Sequence, residues 1–329
     1  MKNIRSPNKE KQNTVTKQIT RRKYNMRETT FEEFINMLIK EVKENLPEEL
    51  ENATVEVQTV TKNNNTELKS LLIKIEGENL TPSIYLEQFY KDYRNNKMEL
   101  EEIVSKVIEL RIKHRKDTKM DLNYLEDFEA IKKDIIPTFA GLKEYNKELM
   151  ESCPYVKILD MVMVFRIVIN MKDENGVTGT ILIKDDLQNK LGVTTQTLFE
   201  TALKNVKGNF KCKNMGEIFK EMMGASDLET EMFNDNPMYV LTNKEMTFGA
   251  AAIIDEEFMW DVYDKIGGDF IIIPSSIHEL IAIPMTEMEN NADYVNNMIK
   301  DVNRTQVEQK DRLSNHAYKF TKENALEVM

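Results

Sequence analysis

The predicted strands of this chain come in neighbouring pairs joined by short polar turns, and this pairing limits the fold more than any other feature. One pair lies within residues 53–76 and a second within residues 161–183. The turn of the second pair contains Asn175-Gly176, a dipeptide typical of tight hairpins. Strands that pair locally form antiparallel or mixed sheets, because a parallel pair needs a long crossover connection. The pattern therefore favours such sheets over a doubly wound parallel sheet.

Apolar residues recur at helical spacing between the paired strands. Thr30 and Glu33 have the spacing of a capping box, and the apolar stripe after them predicts a helix. Thr81-Pro82 has the pattern of another helix start. With only 11 glycines and 8 prolines in 329 residues, most of the chain should be regular structure. We therefore predict an α+β fold with two lobes, in which antiparallel or mixed sheets built from hairpins pack against helices.

Changes in composition along the chain indicate four segments. Residues 1–28 are predicted to be a disordered basic extension, and residues 29–117 a small α+β domain. Residues 118–154 are rich in charge and are interrupted by Pro137, so we interpret them as a mostly helical connector. Residues 155–329 are predicted to form a larger α+β domain.

The larger predicted domain contains two units of similar pattern. Residues 179–192 and 250–268 each run as strand, acidic turn, helix and glycine. Each unit follows a hairpin partner of its strand, and for the second unit the hairpin is formed by predicted strands at residues 238–241 and 248–254. This order is consistent with an internal ββα repeat, although any hairpin that leads into a helix has the same pattern.

Charge is distributed unevenly along the chain. The formal net charge is -11, but nine basic residues and one acidic residue give residues 1–27 a charge of +8 and leave -19 on the remainder. An acidic body disfavours non-specific binding to nucleic acid or to anionic membranes. The basic segment is typical of an arm that binds nucleic acid, or of an extension too poor in apolar residues to fold. Tyr24 is its only aromatic residue, which favours the second interpretation.

Segments and residues that would indicate a membrane or a zinc site are missing from the sequence. No stretch approaches the roughly 18 apolar residues of a membrane span, and the N-terminus lacks the apolar core of a signal peptide. We expect a cytoplasmic protein without a membrane partner. Cys153 and Cys212 lie outside any CxxC or Cys/His cluster. They are therefore predicted to be reduced, buried thiols rather than zinc ligands.

Polar residues that could carry chemistry lie in the C-terminal third of the chain. They are Ser275, Ser276, His278, Glu279, Ser314 and His316. If the tail folds back onto the preceding strand end, His278, Glu279 and His316 could bind a metal ion. Alternatively, His278 could act as the base for Ser275 or Ser276. The competing interpretation, which we favour, is that these side chains fix turns through hydrogen bonds to the backbone.

Seven short motifs, taken in order, resemble a known family. They are TPSIYLEQFY (81–90), DMVMVFRIVI (160–169), MYVLTN (238–243), GAAAI (249–253), PSSIHE (274–279), VNRTQV (302–307) and LSNHAY (313–318). Their order and spacing resemble the DUF5688 family of uncharacterised bacterial proteins over most of residues 30–320. The second half more weakly resembles the DUF1444 family. The resemblance implies a bacterial origin, an association with mobile genetic elements and a shared fold, but no established activity.

Three functional hypotheses follow from the sequence. The one we favour is a non-enzymatic accessory or protein-interaction protein of a bacterial mobile element, whose acidic body and Met-rich segment (219–238) bind a protein partner. The second is a hydrolase or a metal-dependent binder centred on the C-terminal Ser, His and Glu residues. The third is a nucleic-acid binder that uses residues 1–27. The sequence identifies no cofactor, no particular partner and no oligomeric state.

Overall fold

The structure, a computed structural model, describes residues 28–78, 80–114, 122–169, 179–223, 237–285 and 291–329. Contacts divide the chain into two units. The first unit is the chain up to Val60 together with Glu67–Asp121, and the second is Thr61–Thr66 together with Leu122–Met329. The predicted basic extension and the Asn175-Gly176 turn lie outside the described residues.

The first unit combines three helices with a small sheet. Its elements in chain order are α1 (Phe31–Glu44), β1 (Thr54–Lys62), β2 (Thr66–Lys74), β3 (Ile84–Tyr85), α2 (Glu87–Arg94) and α3 (Leu100–Lys113). The strands form one sheet in the order β1-β2-β3. As predicted, the Thr30 hydroxyl accepts a hydrogen bond from the Glu33 N–H, and the Glu33 carboxylate accepts one from the Thr30 N–H. The apolar stripe of α1 then packs into one core with α3 and the sheet.

The helix predicted to start at Thr81-Pro82 begins later, at Glu87. Ile84 and Tyr85 instead pair with β2, opposite Leu71 and Ser70. Ile84 and Leu86 are buried in the core of the unit. Burial of these apolar side chains against the sheet therefore overrides the local helix signal of the Thr-Pro pair.

The second unit contains two sheets and seven helices within the residues that the structure describes. Its elements in chain order are α4 (Phe128–Ile131), β4 (Ile135–Leu142), α5 (Lys147–Met150), β5 (Tyr155–Ile158), β6 (Met161–Ile169), β7 (Gly179–Leu182), α6 (Asp185–Leu191), α7 (Thr195–Val206), β8 (Phe210–Asn214), α8 (Met215–Met223), β9 (Tyr239–Asn243), α9 (Glu256–Ile266), β10 (Phe270–Ser276), β11 (Glu279–Pro284), α10 (Ala292–Thr305), β12 (Tyr318–Thr321) and β13 (Ala325–Val328). None of the described helices is long and apolar enough to cross a membrane.

Antiparallel pairing organises both sheets of the second unit. In the four-stranded sheet, β6 pairs with β4, β5 and β7. The six-stranded sheet has the order β13-β12-β10-β11-β9-β8. One apolar core joins them, because Phe139 and Met163 of the first sheet belong to the same buried cluster as Phe270 and Phe320 of the second. The α+β class predicted from local strand pairing is confirmed.

The segment predicted to be a helical connector contains the strand β4. It pairs with β6 from Ile135 to Leu142, across an irregularity between Phe139 and Gly141. Almost every residue of β4 is buried, and a strand buried on both faces has no polar alternation to reveal it. Proline is also uncommon within sheets, so Pro137 argued further against a strand in this segment. Residues 122–154 belong to the second unit by their contacts.

The strand predicted at residues 248–254 is instead a 3₁₀ helix, Gly249–Ile254. Strand β9, its predicted hairpin partner, pairs with β8 and β11. Phe248 has a left-handed backbone with φ of 59°, and the Ala250 N–H donates to the Ile277 carbonyl. The three alanines that follow Gly249 are buried. The second half of the predicted ββα repeat is therefore not formed.

The turn between β1 and β2 is held in the second unit by a buried amide network. The Asn64 N–H donates to Asn146 Oδ1 (2.8 Å), and the Asn146 amide donates back to Asn64 Oδ1 (2.9 Å). The Asn64 amide donates to the carbonyls of Gln309 (2.9 Å) and Arg312 (2.7 Å). Gly141 lies so close that a Cβ atom there would be 2.4 Å from Asn64 Oδ1. We call these residues, together with Gly141, the Asn64 network.

Gly141→Ala is expected to destabilise the protein strongly. Gly141 has φ of +100°, and its added Cβ would also lie 2.7 Å from the Arg312 carbonyl. Backbone strain and overpacking together should cost about 2–5 kcal/mol in the free energy of unfolding, measured by urea denaturation. Gly192→Ala is the matched control, because Gly192 has φ of +65° with nothing within 4 Å of the added Cβ. It should cost only about 1 kcal/mol, and equal losses in the two variants would contradict the close packing at Asn64.

Candidate functional site

Asp160 is the centre of a hydrogen-bonded cluster that joins the start of β6 to the C-terminal tail. The Ser314 hydroxyl donates to Asp160 Oδ2 (2.9 Å), and the Tyr318 hydroxyl donates to Asp160 Oδ1 (2.5 Å). His316 Nδ1 lies 2.8 Å from Asp160 Oδ2. We call these four residues the Asp160 cluster. It brings together the DMVMVFRIVI and LSNHAY motifs, which lie more than 150 residues apart.

Asparagine side chains of α10 hold the tail in the conformation that the cluster requires. The Asn303 amide donates to the Ser314 carbonyl (2.8 Å) and to Asn315 Oδ1 (3.0 Å). Asn296 Oδ1 accepts the Ala317 N–H (2.7 Å). Asn303 is buried, and buried polar groups in proteins are normally hydrogen-bonded. The helix therefore fixes the backbone on both sides of His316.

The carboxylate of Asp160 accepts the Tyr318 hydroxyl and fixes the tautomer of the His316 ring. Burial, followed by the charge and hydrogen bond of Asp160, raises the pKa of Tyr318 above its ordinary range, so the phenol remains a donor. An ionised carboxylate only accepts hydrogen bonds, so His316 carries a hydrogen on Nδ1. In the neutral ring, Nε2 is then the proton acceptor. The His316 side chain is 42% exposed. A carboxylate orients a histidine in this way when the histidine acts as a general base.

The other predicted histidine has a different set of partners. His278 Nδ1 accepts the Phe248 N–H (3.2 Å), so the hydrogen of the neutral ring lies on Nε2. That atom is 3.7 Å from Asp311 Oδ1. The imidazole also stacks on the Phe248 ring, with 5.8 Å between the ring centroids. His278 thus supports the left-handed turn at Phe248.

Charged neighbours and burial act in opposite directions on Asp311. Burial alone would raise the pKa of this carboxyl, but the neighbouring His278 ring and the hydrogen bond and charge of Lys310 outweigh burial and hold the pKa below its ordinary value of 3.8. Lys310 Nζ lies 2.5 Å from Asp311 Oδ2 and 3.1 Å from Glu308 Oε2. Asp311 is therefore a carboxylate with a cation beside it at neutral pH.

The predicted site residues divide between separate networks. The hydroxyls of Ser275 and Ser276 donate to Glu279 Oε1 (3.0 and 2.9 Å) rather than to the His278 ring. The His278 N–H donates to Ser276 Oγ (3.0 Å), and the His316 N–H donates in the same way to Ser314 Oγ (3.0 Å). Ser276 therefore fixes the turn that carries His278, and Ser314 fixes the turn that carries His316.

The structure does not bring His278, Glu279 and His316 together as metal ligands. In the part of the chain that the structure describes, no group of three or more His, Cys, Asp or Glu side chains could hold a metal ion. The networks described above include acids and amides that sequence reasoning missed, namely Asp160, Asp311, Asn296 and Asn303. Asp160 and Asn303 lie within motifs of the family resemblance, which was the only available signal for them.

A cavity of about 250 Å³ lies beside the Asp160 cluster and shares Ser314 with it. Its lining is formed by Asn64, Leu142, Tyr145, Gln309, Arg312, Leu313, Ser314 and Asn315. All of these residues belong to the second unit. Asn64, Gln309 and Arg312 of the Asn64 network therefore line the cavity, together with residues 313–315 of the tail. We call this space the Arg312 cavity.

The first unit has a larger groove between α1 and α3, with a volume of about 510 Å³. Its lining is formed by Glu41, Asn45, Pro47, Glu101, Val104, Ser105, Ile108, Glu109 and Ile112. We call it the acidic groove, because its charged lining residues are all glutamates.

Neither cysteine has the environment of a nucleophile. Both are free thiols, Cys153 buried and Cys212 partly buried. Burial raises the pKa of Cys153, and burial raises the pKa of Cys212 to about 11. A nucleophilic cysteine needs a lowered pKa, because the thiolate is the reactive form.

Comparison with known proteins identifies a family but no characterised relative. Residues 31–322 match the family of unknown function DUF5688. No curated protein and no solved structure matches the chain. The family match covers nearly the whole chain, as the motifs predicted.

Asp160→Asn is expected to destabilise the second unit. An amide has only one acceptor oxygen, so its NH2 group must face at least one of the donors from Ser314, His316 and Tyr318. A buried polar group left without a partner costs about 1–3 kcal/mol, which should appear as a lower urea midpoint. The control is Asp301→Asn, because Asp301 is 74% exposed and pairs with Arg304 on the same helix. It should change stability by less than about 0.5 kcal/mol. An unchanged midpoint for Asp160→Asn would contradict the role of the cluster.

The ion pair at Asp311 predicts a particular dependence of stability on pH. Because the pKa of Asp311 is lowered in the folded state, its contribution to stability is present above the unfolded pKa and is lost as pH falls through the folded pKa. Asp311→Asn removes that contribution. The difference in unfolding free energy between the wild type and the variant should therefore shrink below about pH 4, measured by urea denaturation at several pH values. A difference that stays constant down to pH 2 would contradict this prediction.

Proposed function

Because the chain belongs to the DUF5688 family, whose function is unknown, we propose a function from the geometry of the chain itself. It is a non-enzymatic protein-interaction protein, and the acidic groove binds a basic, amphipathic segment of its partner. The resemblance alone supports the further proposal that it serves a bacterial mobile element. The observation that carries the main proposal is an apolar floor with a rim of glutamates in a single groove.

The floor of the groove is an apolar stripe on α3 at the edge of the core of the first unit. Ile103, Val104 and Val107 are buried in that core, and Ile108 packs against it. Val104, Ile108 and Ile112 line the groove at intervals of four residues, so they share one side of the helix. The stripe is about 12 Å long at the helical rise. That length suits two turns of a partner helix that places its own apolar face in the groove.

The rim of the groove selects a basic partner. Glu41 of α1 lines one side, and Glu101 and Glu109 of α3 line the other. Glu48 and Glu49 line an adjoining shallow cavity that shares Pro47 with the groove. A cleft lined by charge of one sign attracts partners of opposite charge and accelerates their association. Lysine or arginine residues beside an apolar stripe would complement both the rim and the floor.

The hydrogen bonds of the C-terminal residues support structural roles for most of the alternative site. Ser275, Ser276 and His278 fix turns through the contacts described above. His316 is the exception, because Asp160 orients its ring with Nε2 as the proton acceptor. The hydrolase alternative therefore now centres on His316 acting as a base toward a water molecule. Binding of nucleic acid by residues 1–27 stays a prediction, since these residues lie outside the described ranges.

Charge reversal in the groove is expected to abolish binding of a basic amphipathic peptide. The probe is a fluorescein-labelled helical peptide with leucines at every fourth position and lysines or arginines on both sides of them. Wild-type protein should raise its fluorescence anisotropy, and Glu101→Lys with Glu109→Lys should weaken binding at least tenfold. Ile108→Asn should also weaken it, because the floor becomes polar. The binding should weaken as salt is added.

Matched variants distinguish a loss of binding in the groove from a general effect of net charge. Glu67→Lys with Glu76→Lys makes the same change in charge at two exposed residues of the first unit that do not line the groove. This control should bind the probe within about twofold of the wild type. Equal weakening in both double variants, or no binding to wild type, would overturn the proposal. Displacement of the probe by a peptide of residues 1–27 would identify the chain's own basic segment as the occupant instead of a partner protein.

A further inference from the structure

We infer that the Arg312 cavity binds a small organic anion, a carboxylate or a phosphate ester, through the guanidinium of Arg312. The cavity is in the second unit, and the inference does not depend on the acidic groove. Its volume of about 250 Å³ is just below the range typical of drug-sized ligands. The ligand is therefore a small metabolite rather than a nucleotide or a peptide.

Arg312 is the cation of the cavity and is held ready for an anion. Its Nε donates to the Val307 carbonyl (3.1 Å), and its own carbonyl accepts from the Asn64 amide (2.7 Å). Among the described residues, no carboxylate forms an ion pair with its terminal nitrogens. A guanidinium presents a planar pair of donors that matches a carboxylate or phosphate. Fixing Nε limits the side-chain entropy that such a contact would cost.

The other polar residues of the cavity carry no negative charge, and Tyr145 and Asn315 have groups that can donate to a ligand. None of the residues that line the cavity is a carboxylate. Tyr145 is 51% exposed, so its hydroxyl can turn toward a ligand. The Oδ1 of Asn315 already accepts from Asn303, which leaves the amide nitrogen of Asn315 as the group for a ligand. Leu142 and Leu313 provide apolar contacts for the body of the molecule.

The walls are formed before a ligand arrives. Asn64 is fixed by its amide network, and the Gln309 amide donates to the Asn64 carbonyl (2.9 Å). Ser314 is fixed by Asp160. A preformed site binds a ligand without the cost of ordering its own side chains.

A neighbouring cavity limits the size and charge of the ligand. It shares Asn64, Tyr145 and Gln309 with the Arg312 cavity, and it is also lined by Glu144 and Glu148. Their carboxylates would repel an anion that extended into this second space, although Lys147 lies there too. The anionic group therefore belongs beside Arg312, and a ligand with several distributed negative charges is disfavoured.

Titration calorimetry on the full chain tests the inference with three probes, which are butyrate, glycerol 3-phosphate and inorganic phosphate. At least one should bind the wild type, and the neutral compounds butyramide and glycerol should not. Arg312→Gln should weaken the binding at least tenfold, and Arg312→Lys should weaken it less, because the charge remains and the planar donor pair is lost. Arg304→Gln is the control, since Arg304 is 76% exposed on α10, and it should bind as the wild type does. Preference among the probes would distinguish a carboxylate ligand from a phosphate ligand.

Chemical protection gives a measurement that needs no variant, in case Arg312→Gln does not fold. Phenylglyoxal modifies accessible arginines, and mass spectrometry reports the modified fraction of Arg312. A binding probe should slow modification of Arg312 and leave that of Arg304 unchanged. The inference is overturned if no probe binds the wild type, if Arg312→Gln binds equally well, or if a bound probe leaves Arg312 unprotected.

Discussion

The carboxylate of Asp160 is the group on which the arrangement of the second unit depends. It stands immediately before β6, the central strand of one sheet, and it accepts hydrogen bonds from a tail that continues into β12 of the other sheet. Side-chain networks of this kind stabilise a structure only when every member has its partner. Asp160 meets this condition through a serine, a histidine and a tyrosine. The tail that it anchors then supplies Arg312 to the cavity and Gln309 to the Asn64 network.

The two units carry different kinds of binding surface. In the first unit, the surface follows from the apolar residues at the edge of the core, because Val104 and the partly buried Ile108 of α3 belong to the core and also line the groove. In the second unit, the surface follows from polar side chains that satisfy one another around a cavity that Arg312 lines. The first surface suits an extended partner and the second a small molecule. Neither surface is lined by the histidines that the sequence analysis singled out.

Local signals in the sequence predicted some of the helices and missed the long-range contacts. The helix Glu256–Ile266 lies where the sequence placed it, because an acidic cap, an apolar stripe and a glycine stop all act within a few residues. Strand β4 was missed because it is buried throughout, and β12 and β13 because four-residue strands carry little periodicity. The same limit applied to the site. His278 and His316 were identified, but Asp311 and Asp160 were not, because hydrogen bonds across many residues leave no local pattern.

The contact between Asn64 and the tail has a consequence for how the protein is made. Asn64 and Gln309 are 245 residues apart in the chain. At about 5–20 residues per second on the ribosome, the tip of the first hairpin waits roughly 12–50 seconds for its last partners to be synthesised. The Asn64 amide of the nascent chain therefore lacks its C-terminal partners through most of synthesis. The second unit is completed only when the final segment emerges.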